Sequence, residues 1–491
     1  MLLHILDIIS RLLFIFAISY YSITLLQWYN YSAWRVITKH HKQAWHLAYF
    51  VLPIVMFFVC FGIGWHIVFY IYLYLVYLPM LIIWAIKLDK RVVFTRRVWR
   101  FFGIMAIFIA LNELLFVLYD ATSLYFLWLM PFVFGMIICE IYEAVLMRNF
   151  ITLAKDKLEM MHNLKIIMVT ASFGKTSIKN FLAQILQGRF NVYFTPRSVN
   201  TFKGIVYDIN NDLPFGADIY IAEAGARMKG DIKEIATLLN PQLGVIGEIG
   251  NAHIEYFKTL ENTASTKFEL LESNRLEQVF VYNKNPLPKE LDSATKRKII
   301  PYPAQLRNIE ATLKHTKFEM MLGKEWVEFE TYILGRFNVD NIAVAIMIAH
   351  QLGMSISTIQ NLVKKLSPIP HRFNLSVSNG KTIIDDGFNG NINGMLEGVR
   401  LCSLYEGRKV IITPGLIESD EESNVRFAKA VDEVFDLAII TGERNSRLIS
   451  SYIKNTPKVI LKDKSQLENI IKGMVGSGDL VYFANDAPSY I

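Results

Sequence analysis

Val169-Thr-Ala-Ser-Phe-Gly-Lys-Thr-Ser177 follows the apolar run 166–168 and precedes a helix-like run, 178–186. The order is strand, tight loop, helix, with Gly174-Lys175-Thr176 at the turn. Such a turn cradles phosphates. Backbone N–H groups and the positive end of the helix face the anion, the lysine adds a charge, and the threonine hydroxyl can ligate Mg2+. The stretch predicts an α/β phosphate-binding domain with ATP as ligand. Its cradle is Ala171, Ser172, Phe173, Gly174, Lys175, Thr176 and Ser177. The strict P-loop pattern has a further Gly where this chain has Val169, and the ordinary alternative is a βα turn with an exposed lysine.

Outward from this turn, strand-like runs at 165–170, 219–222, 243–249 and 279–282 alternate with helix-like ones. The alternation predicts a mostly parallel, doubly wound sheet, with its site at the carboxyl ends of the strands. Glu223 ends one run, in I-Y-I-A-E-A-G-A, where a carboxylate beside a phosphate loop can hold Mg2+. His253 follows another run, and Lys267 lies in a helical stretch that begins near residue 259. Taken singly, all three also read as helix caps or solvated polar residues. Residues 304–326 show no clear pattern. A second alternation begins near Gly335, with a helix at about 339–352 and strands near 382–384, 409–413, 437–441, 459–461 and 480–483. It predicts a separate, Rossmann-like α/β domain.

The chain of 491 residues is 53% hydrophobic, and the excess lies before Phe150. Five membrane spans are expected, at about 12–28, 45–86 (two spans, divided at Gly62-Ile63-Gly64), 101–119 and 124–147. No cleavable leader is evident. Arg35, Lys39 and Lys42 follow the first span, and Lys87, Lys90, Arg91, Arg96, Arg97 and Arg100 follow the third. Arg148, Lys155 and Lys157 follow the fifth, while the turns after the second and fourth carry no Lys or Arg. The positive-inside rule then puts the N-terminus outside and everything after Phe150 in the cytoplasm. The expected divisions are a transmembrane region (1–150), a central ATP-binding domain (151–334) and a C-terminal domain (335–491). Glu113, Glu140 and Glu143 fall inside spans. They are either functional or paired with a neighbouring helix, and no basic residue falls within a span as drawn. The net charge is +7 and much of the surplus sits close to the apolar segments, which favours a lipid bilayer over nucleic acid as partner. The three cysteines lack metal-ligand spacing.

The series T-A-S-F-G-K-T-S (170–177), T-P-R-S-V-N-T-F-K-G (195–204), A-E-A-G-A (222–226), N-A-H-I-E-Y-F (251–257) and A-S-T-K-F-E (264–269) resembles the Mur ligases. So do G-R-F-N-V-D-N (335–341), P-H-R-F (370–373) and D-D-G-F-N-G-N (385–391). Within that family the second and last segments resemble the branch that adds D-alanyl-D-alanine to UDP-N-acetylmuramoyl-tripeptide in peptidoglycan precursor synthesis. The resemblance implies ATP and Mg2+ as cofactors and an acyl-phosphate intermediate. It also implies roles for single residues. Lys175 contacts the ATP phosphates, and Thr176 and Glu223 hold one Mg2+. His253 helps hold a second, and Lys267 supports Mg2+ as a carbamate. Asn338 and Asn341 lie on the adenine side, Arg372 reaches the phosphates from the second domain, and Asp386 meets the ribose.

This chain departs from the family pattern at several positions. Ala171 and Phe173 replace Gly and Asn in the loop, Ser198 replaces an Asn, Phe337 replaces a His, and V-Y-F-A-N-D replaces the usual C-terminal strand end. Membrane-like sequence stands where the family carries a UDP-binding domain. The resemblance therefore also admits a lipid-linked or polymeric acceptor, and neighbouring membrane enzymes of the lipid-carrier step as partners. A transporter or sensor that only binds ATP is a third reading, supported by the carboxylates in the spans.

Overall fold

A computed structural model describes residues 2–29, 31, 33–40, 42–88, 91–119, 125–250, 257–288, 290–388, 390–417, 419–442, 445–461 and 466–485. The chain divides into two units, Met1–Asn149 and Phe150–Ile491.

The first unit is helical. Among the described residues five helices are long and apolar enough to cross a membrane: Leu6–Trp28, Gln43–Gly62, His66–Ile86, Arg96–Phe116 and Leu127–Met160. Gly64, at φ +77°, makes the turn between the second and third. Aromatic side chains, among them Phe14, Phe57, Phe69, Tyr77 and Trp84, fill the interior. Leu75 and Ile67 are 72% and 70% exposed on the outside.

The first of these helices begins before residue 12, which brings Arg11 inside it. This corrects the expectation that no basic residue falls within a span. Arg11 Nη2 lies 2.7 Å from Glu113 Oε2, and its guanidinium stacks over Phe116. Glu140 pairs with Arg97 at 3.2 Å and Glu143 with Arg100 at 2.5 Å. A carboxylate held away from water is costly unless a partner neutralises it, and all three have one.

The second unit is built on two six-stranded sheets. The first contains β1 (Lys165–Thr170), β2 (Val192–Phe194), β3 (Ile219–Ala224), β4 (Leu243–Ile246), β5 (Gln278–Tyr282) and β6 (Ile299–Tyr302). Their order is β2-β3-β1-β4-β5-β6, and every pairing is parallel. The central strand β1 is apolar and almost wholly buried, as a strand covered on both faces must be. Val169 sits inside β1, opposite Glu223 of β3. That register sets the phosphate turn and the carboxylate side by side.

Residues 304–326, whose sequence shows no clear pattern, enter a three-stranded antiparallel sheet. Its strands are β7 (Leu306–Ala311), β8 (Thr316–Leu322) and β9 (Glu325–Thr331). Side chains of β8 alternate between buried and half-buried, the signature of a one-sided strand.

The second large sheet contains β10 (Asn374–Ser378), β11 (Lys381–Asp386), β12 (Lys409–Thr413), β13 (Leu437–Thr441), β14 (Lys458–Leu461) and β15 (Leu480–Ala484). Its order is β10-β11-β15-β12-β13-β14. Only the edge strand β10 runs antiparallel.

The helix read from sequence as opening the second domain, Arg336–Gln351, packs instead in the core of the first sheet. Val339, Ile342, Ala343 and Ile346 share that core with Ile178, Phe181 and Leu182 of the helix Lys175–Leu186. Alanines at 343, 345 and 349, all fully buried, let the two helices approach closely. The approach carries Asn341 to the phosphate turn.

Candidate active site

The turn after β1 leads directly into the helix Lys175–Leu186, whose N-cap is Gly174 at φ +79°. Only glycine suits this position, on two counts. The backbone is left-handed, and a Cβ would stand 2.8 Å from Asn341 Oδ1. The first-turn N–H groups of the helix have no acceptor within it, which leaves a positive pole at the turn.

Not every amide of the predicted cradle faces that pole. The Ser172 and Phe173 N–H groups donate to the Glu248 carbonyl, at 2.8 and 3.4 Å. The Ser172 hydroxyl donates to the Gly250 carbonyl. These bonds fasten the turn to the segment after β4. Ala171 is fully buried, and Ser177 nearly so. Lys175 Nζ folds back on its own turn and donates to the Ala171 and Ser172 carbonyls at 2.8 and 3.1 Å.

Glu223 is 1% exposed and engaged on both oxygens. Oε2 accepts from the Thr176 hydroxyl at 3.0 Å and lies 3.2 Å from Lys179 Nζ. Oε1 accepts from Asn200 Nδ2 at 3.1 Å. The segment 195–204 is built around this carboxylate. Thr195 Oγ1 accepts from the Glu223 N–H, Asn200 O accepts from the Gly225 N–H, and Thr201 caps the next helix, Phe202–Asn211.

Lys179, which the sequence reading missed, is wholly buried and also donates to the Thr195 and Arg197 carbonyls. Burial lowers its pKa, and the Glu223 carboxylate opposes that shift. The signal was present in the sequence. Lys179 lies next to Ile178 and one turn from Lys175, on a helix whose neighbours at 178, 181, 182 and 183 are apolar.

Lys267 lies on the helix Leu260–Phe268 and is 3% exposed. Burial, and then the nearby Lys175 ammonium, bring its pKa down to about 7. The closest acids are committed elsewhere. Glu269 accepts from the Gly230 and Lys233 amides, and Asp231 from those of Arg227 and Met228. His253 lies outside the described residues. Among the described residues no cluster of three or more His, Cys, Asp or Glu gathers as a metal site. The hydroxyl–carboxylate pair of Thr176 and Glu223 is nonetheless a hard-oxygen donor set of the kind Mg2+ takes.

The second sheet reaches the same place. Arg372 precedes β10. Its pKa is lowered by burial, while the Asp386 and Glu223 carboxylates act on it in the opposite sense. The field of Glu223, across the two sheets, is therefore felt at Arg372. A cavity of about 380 Å³ lies here, lined by Phe173, Ser198, Arg372, Phe388, Ile417 and Asn485 among others. Asn391 Nδ2 donates to Glu248 Oε2 at 3.0 Å, a direct bond between the lobes.

Asp386 is 1% exposed. Its carboxylate accepts from the Phe373 N–H at 3.0 Å and from the Tyr482 hydroxyl at 3.4 Å. It thus fastens the turn that carries Arg372. Asn338 is buried and bonded to the Leu334 carbonyl, and Asn341 to the Phe337 carbonyl. Phe337, where the family has His, packs edge-on against Phe373.

Residues 169–349 match the family described as Mur ligase middle domain. The chain is 24% identical over 298 residues to the UDP-N-acetylmuramoyl-tripeptide–D-alanyl-D-alanine ligase of Buchnera aphidicola subsp. Baizongia pistaciae, covering 57% of this chain and 65% of that one. It is 24% identical over 269 residues to the ligase of the same name from Escherichia coli K12, covering 53% and 59%. The chain thus spans less than two thirds of the length of either. The Bacillus subtilis ligase of that name is 25% identical over 336 residues, covering 65% and 72%. In fold, the chain is similar to the MurF ligase of Thermotoga maritima in complex with ADP, with a TM-score of 0.60 and 22% identity, over 69% of this chain and 80% of that one.

Proposed function

We propose that this chain, whose residues 169–349 carry a Mur ligase middle domain, is a membrane-anchored, ATP-dependent amide ligase of the MurF type. It joins D-alanyl-D-alanine to UDP-N-acetylmuramoyl-tripeptide. The carrying observation is the Thr176–Glu223–Lys179–Asn200 constellation, set at the strand ends beside the phosphate turn and faced by Arg372 from the other sheet.

A carboxylate is a poor electrophile. Transfer of the γ-phosphoryl group of ATP to the terminal carboxylate of the tripeptide gives an acyl phosphate and ADP. The dipeptide amine then attacks the acyl carbon, its proton is lost, and phosphate departs with the C–O electrons. The protein's task is to position the reactants and neutralise charge. The helix pole at Gly174 and Lys175 face the phosphates once Lys175 leaves its two carbonyls. Arg372 meets the same charge from the second lobe. Thr176 and Glu223 would hold Mg2+, which would screen the phosphate oxygens. Lys267, with a pKa near 7, is largely neutral above that pH and can take up CO2 as a carbamate. The neutral amine adds to the carbon of CO2 and releases one proton, which leaves an anion that would suit a metal. Asn341 and Asn338 flank the adenine side.

The location belongs to the same proposal. The first unit spans the cytoplasmic membrane with its N-terminus outside, and the two sheets stand in the cytoplasm. Five apolar helices with exposed leucine and isoleucine, and the alternation of basic loops, support it. The same helices favour a second reading in which the acceptor is lipid-linked.

Full-length protein in detergent, given ATP, Mg2+, UDP-N-acetylmuramoyl-tripeptide and D-alanyl-D-alanine, should release phosphate and form the pentapeptide. Phosphate release no greater than that of Lys175→Ala would overturn the reading. Turnover only with lipid-linked muramoyl-peptide would favour the second one.

A further inference from the structure

The cavity between the lobes has an apolar wall drawn from both. Phe173 comes from the phosphate turn, and Phe388 and Ile417 come from the loops after β11 and β12. Arg372 and Ser198 supply polar lining. Neither phenylalanine is explained by core packing. Phe388 is 61% exposed. Its ring lies edge-on to His371, 4.9 Å away, and its carbonyl accepts from Arg372 Nη1. The Phe173 ring occupies the space beside Gly250, where a Cβ would meet it at 2.7 Å. Both rings are thus held at the cleft by the backbone segments that carry the polar site residues.

The acyl phosphate has two nucleophiles available. Attack by water forms a C–O bond to the acyl carbon and breaks the bond to the phosphate oxygen. The carboxylic acid returns, phosphate leaves, and one ATP is spent without an amide. An active site that excludes water suppresses this loss.

We propose that Phe173 and Phe388 are the residues that couple ATP use to amide formation, by covering the acyl phosphate with apolar surface from both lobes. The inference rests on the ligase reading above and adds to it a pair of positions that set the partition between amine and water.

The test counts phosphate released per amide formed by the full-length protein with ATP, UDP-N-acetylmuramoyl-tripeptide and D-alanyl-D-alanine. Wild type should release one phosphate per amide. Phe388→Ala should raise the ratio roughly three-fold or more with phosphate release continuing, Phe173→Ala should raise the ratio whatever its rate, and Phe→Leu at either position should restore it. Phe388 is exposed, so its variant folds even where Phe173→Ala does not. A ratio near one in Phe388→Ala would overturn the inference and leave the ligase reading intact. Absence of amide with the unaltered protein would overturn the ligase reading itself.

Discussion

The Thr176 hydroxyl donates to the Glu223 carboxylate across 3.0 Å, joining the turn after β1 to the end of β3. The bond needs both the parallel pairing of these strands and the register that sets Val169 opposite Glu223. Glu223→Gln preserves shape but removes the charge that pairs with Lys179 and that a bound Mg2+ would require. Turnover should fall about 10²- to 10³-fold, the usual cost of one lost electrostatic partner at a reacting phosphate. Raising Mg2+ should not restore it. Steady-state phosphate release over a Mg2+ titration checks this, and near-normal turnover at high Mg2+ would contradict the assignment.

Lys179 and Glu223 form an ion pair with both side chains essentially inaccessible. Removing one member leaves an uncompensated buried charge. Lys179→Met should therefore destabilise the protein by about 3–5 kcal/mol. The double variant Lys179→Met/Glu223→Gln should recover much of that loss, since it buries no net charge. A thermal double-mutant cycle measures the coupling. Additive losses would mean that Lys179 acts mainly through the Thr195 and Arg197 carbonyls.

Lys267 has a folded-state pKa of about 7, below the ordinary lysine value. Between those values the folded protein holds fewer protons at this site than the unfolded chain, so stability rises with pH across that window. In CO2-free buffer the stability of wild type relative to Lys267→Met should climb from about pH 7 towards pH 10. At pH 8 roughly nine-tenths of such an amine is unprotonated, against well under one hundredth for an ordinary lysine. Activity at pH 8 should accordingly fall on CO2 depletion and return with bicarbonate. Activity indifferent to CO2 would remove the carbamate from the mechanism.

Much of this site was legible because strand ends and turns carry their chemistry locally. The run 165–177 gave strand, turn and helix together, since each follows from neighbouring residues. Long-range facts were harder to read. The helix Arg336–Gln351 is contiguous in sequence with the second alternation, yet its alanines and β-branched residues fit the first sheet. Nothing local distinguishes the two destinations. Lys179 was missed because a lysine's default is solvent, and only the Glu223 register reveals its partner. The motif implies a ribose contact for Asp386. Its sequence does not show that the same carboxylate also accepts from the Phe373 amide and the Tyr482 hydroxyl within the second lobe.

Arg11 and Glu113, in two different apolar helices, meet at 2.7 Å. In a low-dielectric interior the pair costs little only while both members are present. Arg11→Leu and Glu113→Leu should each lower the melting temperature of the full-length protein in detergent. The double Leu variant should lie near wild type, because it buries no charge. If the pair instead serves proton or solute movement, the double variant would keep its stability and lose a transport signal in proteoliposomes.

Asn391 Nδ2 donates to Glu248 Oε2 at 3.0 Å, and the carbonyl of that same Glu248 receives the Ser172 and Phe173 amides. One residue of the first lobe thus holds the phosphate turn through its backbone and the second lobe through its side chain. Asn391→Leu removes the second link, and with it the Asn391 Oδ1 cap on the Asn393 N–H. The KM for ATP should rise several-fold with a smaller change in kcat, because lobe closure becomes less favourable before chemistry begins. Burial raises the Glu248 pKa, and the Asn391 hydrogen bond opposes that shift. As pH falls through the raised pKa the carboxylate gains a proton, becomes a weaker acceptor, and the clasp loosens. In wild type the KM for ATP should therefore increase towards acid pH, and in Asn391→Leu that dependence should flatten, since the bond it reports is already gone. Parallel pH profiles of KM in the two proteins would show that the clasp does not control nucleotide binding.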